Sequence, residues 1–313
     1  MKIRLGYACI SKTLDNITPS TPYTYTEYSK SYDYEKLDAV IKSNLEDLHE
    51  LILYNIKNNI HFFRLSSRII PLATKSDVLF DYKTSYINYY KKIGDLILKT
   101  GMRVDFHPDQ FCVLNSTRKE VVDNTIEILK YHYNLLDYLN IKNKILVLHI
   151  GGNTFGKEKS ISRFINNFNK LPNYLKKCIA IENDDKIFNV TDCLKISKIL
   201  DIPVVLDYHH FVCNNEGENI EELLDEIILS WHDKNPKMHF SSPKSKAKKD
   251  FRSHHEYINS NSFINFINIL KKKGVDIDIM IEAKAKDEAL FRLVRELKYK
   301  TDYKFIDDTS FIV

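Results

Sequence analysis

Six stretches of this sequence end in a side chain that can hold a metal ion or move a proton. MRVDFHP brings His107, KILVLHIGG His149, CIAIEND Glu182, PVVLDYHHF Asp207 and His210, PKMHFSS His239, and DIMIEAK Glu282. His254 follows in RSHHEY, with His255 beside it. Counting His209 as well, this set takes seven of the eleven histidines. A single histidine at the end of an apolar run is usually a hydrogen-bonded structural group. A succession of such runs differs, because polar groups buried together need a shared partner. Divalent ions supply one. Imidazole mixed with carboxylate suits Mn, Zn or Fe, whereas Mg and Ca sites are nearly all oxygen. Eight candidate ligands are too many for one ion, so two or three ions are expected, with Glu182 and Glu282 as bridging carboxylates. Such a cluster suits hydrolysis at phosphorus, where it acidifies a water and steadies the attacking and leaving oxygens. Metal-dependent sugar isomerisation or epimerisation uses the same ligand types, and the ligands alone leave both readings open.

Four other features bear on the substrate. Lys244, Lys246, Lys248, Lys249 and Arg252 crowd into nine residues with one acid, Asp250. A charge run is ordinarily a solvated face, but beside a metal site it suits a phosphate backbone. Gln110 and Phe111 follow His107 within HPDQF; an amide reads a base edge and a phenyl ring stacks in place of a base. Arg64, Ser66 and Ser67 end another apolar run with phosphate-type donors. Lys237 lies two residues before His239, hence on the same face of a strand. An ammonium aimed at a cation cluster is repelled, so Lys237 must meet a carboxylate or have its charge altered. The Gly-rich phosphate loops and the Gly-x-Ser-x-Gly nucleophile elbow are absent, which argues against P-loop and serine-esterase chemistry.

Something must carry these groups to one place. Eight β-rich runs (3–11, 60–67, 102–108, 144–152, 178–184, 203–211, 236–242, 278–284) alternate with helical stripes such as Leu45, Leu48, Ile52 and Ile56. Eight βα repeats in one chain predict an α/β fold, a single (β/α)8 barrel domain over 1–313, with the site at the C-terminal ends of its strands. Gly101 and Gly274 sit where helix C-caps are needed. The segment Thr18–Tyr34 reads as a loop, and Tyr303–Val313 as a weakly patterned tail. An apolar content of 43% supplies a large core, which excludes disordered and collagenous classes. Five scattered cysteines without a Cys-x-x-Cys pair read as reduced thiols. No apolar run reaches the roughly 18 residues of a membrane helix, and no signal-like apolar segment follows Lys2 and Arg4. A cytoplasmic monomer is expected.

The motifs LGYACIS, FRLSS with PLATK, FHPDQFCVLNS, LVLHIGG, IENDD, LDYHH, KMHFSS, RSHHEY and IMIEAK together resemble the UV damage endonuclease family, from about Arg4 to Lys284. The resemblance implies a TIM barrel related to the endonuclease IV barrels. It implies metal-dependent cutting of damaged double-stranded DNA immediately 5′ to cyclobutane dimers, 6-4 photoproducts and abasic sites. The products carry a 3′-hydroxyl and a 5′-phosphate. Up to three ions are implied, Mn2+ favoured, with Zn2+ or Mg2+ as substitutes. The implied ligands are His107, His149, Glu182, Asp207, His210, His239, His254 (in preference to His255) and Glu282. Glu182, Glu282, His239 and Lys237 are the implied catalytic groups, with Lys237 carboxylated to a carbamate. Gln110 and Phe111 become a lesion probe, and Tyr7 lines the DNA groove. The phenyl of Phe111 stands where the family often has tyrosine, and Lys75 where a histidine is expected.

Overall fold

The structure is a computed structural model describing residues 1–313. In chain order the elements are β1 (Lys2–Ala8), α1 (Tyr25–Ser31), α2 (Tyr34–Lys57), β2 (Phe62–Arg64), α3 (Ile87–Thr100), β3 (Arg103–Asp105), α4 (Lys119–Tyr138), β4 (Leu146–His149), α5 (Lys157–Asn169), α6 (Asn173–Lys176) and β5 (Ile179–Glu182). Then come α7 (Val190–Leu200), β6 (Val204–Asp207), α8 (Tyr208–Cys213), α9 (Ile220–Leu229), β7 (Lys237–Phe240), α10 (Ser260–Lys271), β8 (Ile277–Ile281), α11 (Lys286–Lys300), β9 (Lys304–Phe305) and β10 (Ser310–Ile312).

Strands β1 to β8 pair in parallel in the order β3-β2-β1-β8-β7-β6-β5-β4. The remaining seam, β3 to β4, is joined by one parallel bridge between Phe106 and Leu146. Eight strands thus close in chain order, the expected α/β barrel. Helices cover its outside. Leu45, Leu48 and Ile52 of α2 are buried and Ile56 packs against the same core, as the stripe predicts. Gly101 ends α3 with φ +66, a left-handed conformation that glycine adopts at little cost. Gly6 has a different reason: a Cβ there would lie 2.2 Å from the Phe62 carbonyl oxygen on β2.

Three expectations change. The run 203–211 is a strand only to Asp207, after which α8 begins. The Asp207 side chain accepts from His210 N at 2.8 Å and caps that helix. Within Thr18–Tyr34, Thr24 and Glu27 form a capping box that starts α1. The tail is a β9–β10 hairpin, and β10 pairs antiparallel with Lys2–Arg4 of β1. It covers the stretch of β1 that precedes the β2 register at Gly6–Ala8.

Beside apolar side chains such as Val147, Ala180 and Val205, the barrel interior carries a column of charges where branched apolar side chains usually fill such barrels. At the N-terminal end Arg4 and Arg103 both bind Asp278. Above them Lys237 binds Asp105, and above that Arg64 meets Glu282. The ionic column leads to the C-terminal rim.

Candidate metal centre

The ends of β3 to β8 each deliver a polar group to one rim because the parallel register aligns those ends. His149 pairs with Glu182 across β4 and β5, and Asp207 with His239 across β6 and β7. The outcome is three overlapping groups: His107–His149–Glu182, Glu182–Asp207–His210, and Asp207–His239–Glu282. Within each, one candidate ligand atom per residue lies within 4.8 Å of the others. Glu182 and Asp207 each belong to two groups. Sequence reasoning expects Glu182 and Glu282 as the bridges; Glu182 is shared by two of the groups, Asp207 is shared as well because β6 lies between β5 and β7, and Glu282, after β8, belongs to one.

Glu182 is the hub. Its Oε2 accepts from His107 Nε2 at 2.6 Å and its Oε1 from His239 Nδ1 at 2.7 Å. His149 and His210 stand at 3.5 and 3.7 Å. Burial alone would raise the Glu182 carboxyl, but His239, His149 and His107 hold it well below the usual range. Burial pushes His107 down to about 4, against the pull of Glu182. For His210, burial is outweighed by Asp207, Glu182 and Glu282, which lift it to about 9.

His254 lies outside the three groups, with Nδ1 3.8 Å from Glu282 Oε2. His255 is exposed and turns Nδ1 to its own loop, at Tyr257. Of that pair, His254 faces the centre. Lys237 faces Asp105 Oδ2 at 2.6 Å with both side chains wholly buried. Burial lowers the ammonium to about 8 against the attraction of Asp105. The carboxylate partner removes the electrostatic conflict that a carbamate would otherwise resolve. Arg64 is not a free phosphate donor; it is buried, with Nη2 on His239 Nε2 at 2.9 Å and on Glu282 Oε1 at 2.6 Å. Ser66 is buried on Ser20 Oγ, and Ser67 is half-buried. Tyr7 does not line a groove, since it is fully buried and donates to Asn55 Oδ1 at 2.7 Å. Lys75 is exposed, its ammonium over the Tyr25 ring.

Gln110 and Phe111 project from the rim, the phenyl 77% exposed. They border a groove of about 720 Å³ that His149 and His210 also line. Lys244, Lys246, Lys248, Lys249 and Arg252 are exposed in the loop between β7 and His254. Two residues escaped sequence reasoning. Asp105 reads as an interior strand position, and only the Lys237 conflict signalled that some carboxylate was needed. Asn183, directly after Glu182, brackets the Asp207 main chain with its side-chain amide, Nδ2 donating to the carbonyl and Oδ1 accepting from the N–H, and accepts from His210 Nδ1 through its own carbonyl; it orients two candidate ligands.

Buried Asp207 Oδ2 and His149 Nδ1 have no hydrogen-bond partner. Polar atoms left unmatched in this way, among three carboxylates and several imidazoles, fit divalent cations.

The family model described as UV-endonuclease UvdE matches residues 3–310. A UV DNA damage endonuclease of Bacillus cereus (strain B4264) is 41% identical over 303 residues, 95% of each chain. The crystal structure of SacUVDE superposes with a TM-score of 0.86 at 36% identity, covering 95% of this chain and 98% of that one. Endonuclease IV from Thermus thermophilus, with a TM-score of 0.57 at 11% identity over 95% of this chain and 100% of that one, shares the barrel fold. A family match along nearly the whole chain, a curated relative of this identity and a shared barrel lead to one conclusion: the chain belongs to the UV damage endonuclease family.

Proposed function

We propose that this endonuclease hydrolyses the phosphodiester bond immediately 5′ to ultraviolet photoproducts and abasic sites in duplex DNA. The products carry a 3′-hydroxyl and a 5′-phosphate, and Mn2+ is the preferred ion. The observation that carries this reading is the chain of three ligand groups sharing Glu182 and Asp207 at the mouth of the groove bordered by Gln110 and Phe111. Divalent ions bound there supply an acidified water and neutralise phosphate charge.

The chain's own residues do the rest. Glu182 and Asp207 hold the groups in register, and Asn183 fixes Asp207 and His210. Lys237, held by Asp105, supports the strand that presents His239. Gln110 and Phe111 enter the duplex where stacking is already weakened, so lesions are chosen by low deformation cost. The basic loop 244–252 grips the backbone.

The test is nicking of an irradiated, end-labelled duplex with Mn2+, with and without chelator. A chelator-sensitive cut 5′ to the lesion is expected, and it is lost in Glu182→Gln. Folded protein that leaves the irradiated strand intact in Mn2+ refutes the proposal.

A further inference from the structure

Arg64 ends β2 inside the ligand cluster, and its chemistry there is restrictive. A neutral imidazole offers one ring-nitrogen lone pair and one N–H, while a guanidinium has donors only. Arg64 Nη2 lies 2.9 Å from His239 Nε2, so Nε2 is the accepting nitrogen. Nδ1 therefore carries the hydrogen and donates it to Glu182 Oε1 at 2.7 Å. Both nitrogens are committed, and neither has a lone pair left for a cation. His107 also has both ring nitrogens engaged, but on oxygens of Glu182 and Pro108, whereas His239 alone meets a cationic donor that a metal ion must displace. Exchanging the tautomer does not free His239, because an Nε2–H would then face the guanidinium N–H. The same Nη2 lies 2.6 Å from Glu282 Oε1. Arg64 thus holds two of the three members of the group Asp207–His239–Glu282. Its side chain makes no hydrogen bond or ion pair with His107, His149, Asp207 or His210.

We propose that Arg64 and a divalent cation compete for His239, so that the Asp207–His239–Glu282 subsite fills only when the guanidinium turns away, and fills after the other two. The inference rests on the metal-centre reading above. It adds an order of loading, and it names Arg64 as the positioning residue that sets it.

The experiment is a Mn2+ titration of the full-length protein without DNA, with unbound Mn2+ counted by its electron paramagnetic resonance signal. Wild type is expected to bind two ions tightly and a third at least about tenfold more weakly, the size of a lost charge-assisted hydrogen bond. Arg64→Gln removes the charge; Arg64→Lys keeps it, but its ammonium ends one bond short of the Nη2 position from which Arg64 reaches both partners. In both variants the third ion should tighten about tenfold while the first two move less than about twofold. His239→Gln should lose the third ion and make Arg64→Gln silent. A third constant unmoved in both variants overturns the proposal. So does a common shift of all three constants in Arg64→Gln with none in Arg64→Lys, which is the mark of charge repulsion alone. If both variants unfold, wild type decides, since three ions of equal affinity also overturn it. Wild type that binds no Mn2+ overturns the metal-centre reading itself.

Discussion

Asp105 and Lys237 carry most of the risk inside this barrel. Each is wholly buried, and each is the other's counterion at 2.6 Å. Burial would raise the Asp105 carboxyl, but Lys237 and Arg64 hold it below its usual value. Removing one partner leaves a buried charge without compensation. Asp105→Ala should therefore cost about 3–5 kcal/mol, read as a drop in the urea midpoint at constant slope. Asp105→Ala with Lys237→Met should recover much of the loss, since a neutral apolar pair needs no counterion. A single-variant cost under about 1 kcal/mol would mean that the pair is solvated and the column description wrong. The need for this pair was legible, because Lys237 shares a strand face with His239. Its identity was not, because alternation along β3 gives no sign that Asp105 points inward to a lysine on β7.

At the scale of elements, short pieces were the hard ones. Asp207 opens α8, and a sequence reading that runs the apolar stretch to Phe211 puts His209 and His210 on a strand. The Asp207 cap on His210 N reads equally well as a ligand motif, so the same residues serve two patterns. The β9–β10 hairpin has two and three residues per strand, too few for alternation to register. Yet Phe311 is fully buried and stacks on Tyr303 with centroids 5.2 Å apart. Phe311→Ala should cost about 3–5 kcal/mol; an unchanged thermal midpoint would make the hairpin an ornament. Helix α4 carries a pH dependence. His132 is 1% exposed, its ring 4.6 Å from that of Phe106, and burial lowers it to about 3. An unfolded histidine titrates near 6.5. Between these values the unfolded chain binds a proton that the folded chain does not, so stability is full above about pH 6.5 and falls as the pH drops toward 3. His132 alone should remove about 2 kcal/mol between pH 7 and pH 5. His132→Leu should lose correspondingly less over that interval in urea titrations, and an identical loss in both proteins would remove His132 as the cause.

For the whole molecule, the net charge of +4 belongs to one loop. Lys244, Lys246, Lys248, Lys249 and Arg252 against Asp250 sum to +4, so the remaining chain sums to zero. The barrel and this lip were both legible, because eight βα repeats and a charge run are patterns of many residues. What the structure adds is which charges are free. Lys244 lies 3.5 Å from Asp250 and Arg252 3.6 Å from Asp185, whereas Lys246, Lys248 and Lys249 are exposed and form no ion pair. Unpaired cations release counterions from DNA most completely, each phosphate contact adding about 0.9 to the salt slope of binding. Changing these three lysines to glutamine should lower that slope by about 2–3, measured by fluorescence anisotropy over a range of salt. Affinity should fall by the same factor for irradiated and intact duplex, because backbone contacts carry no lesion information. Phe111→Ala should do the reverse, narrowing the ratio between irradiated and intact DNA while the slope stays put. A slope unmoved by the triple change would take the basic lip out of the DNA interface, whatever the metal centre does.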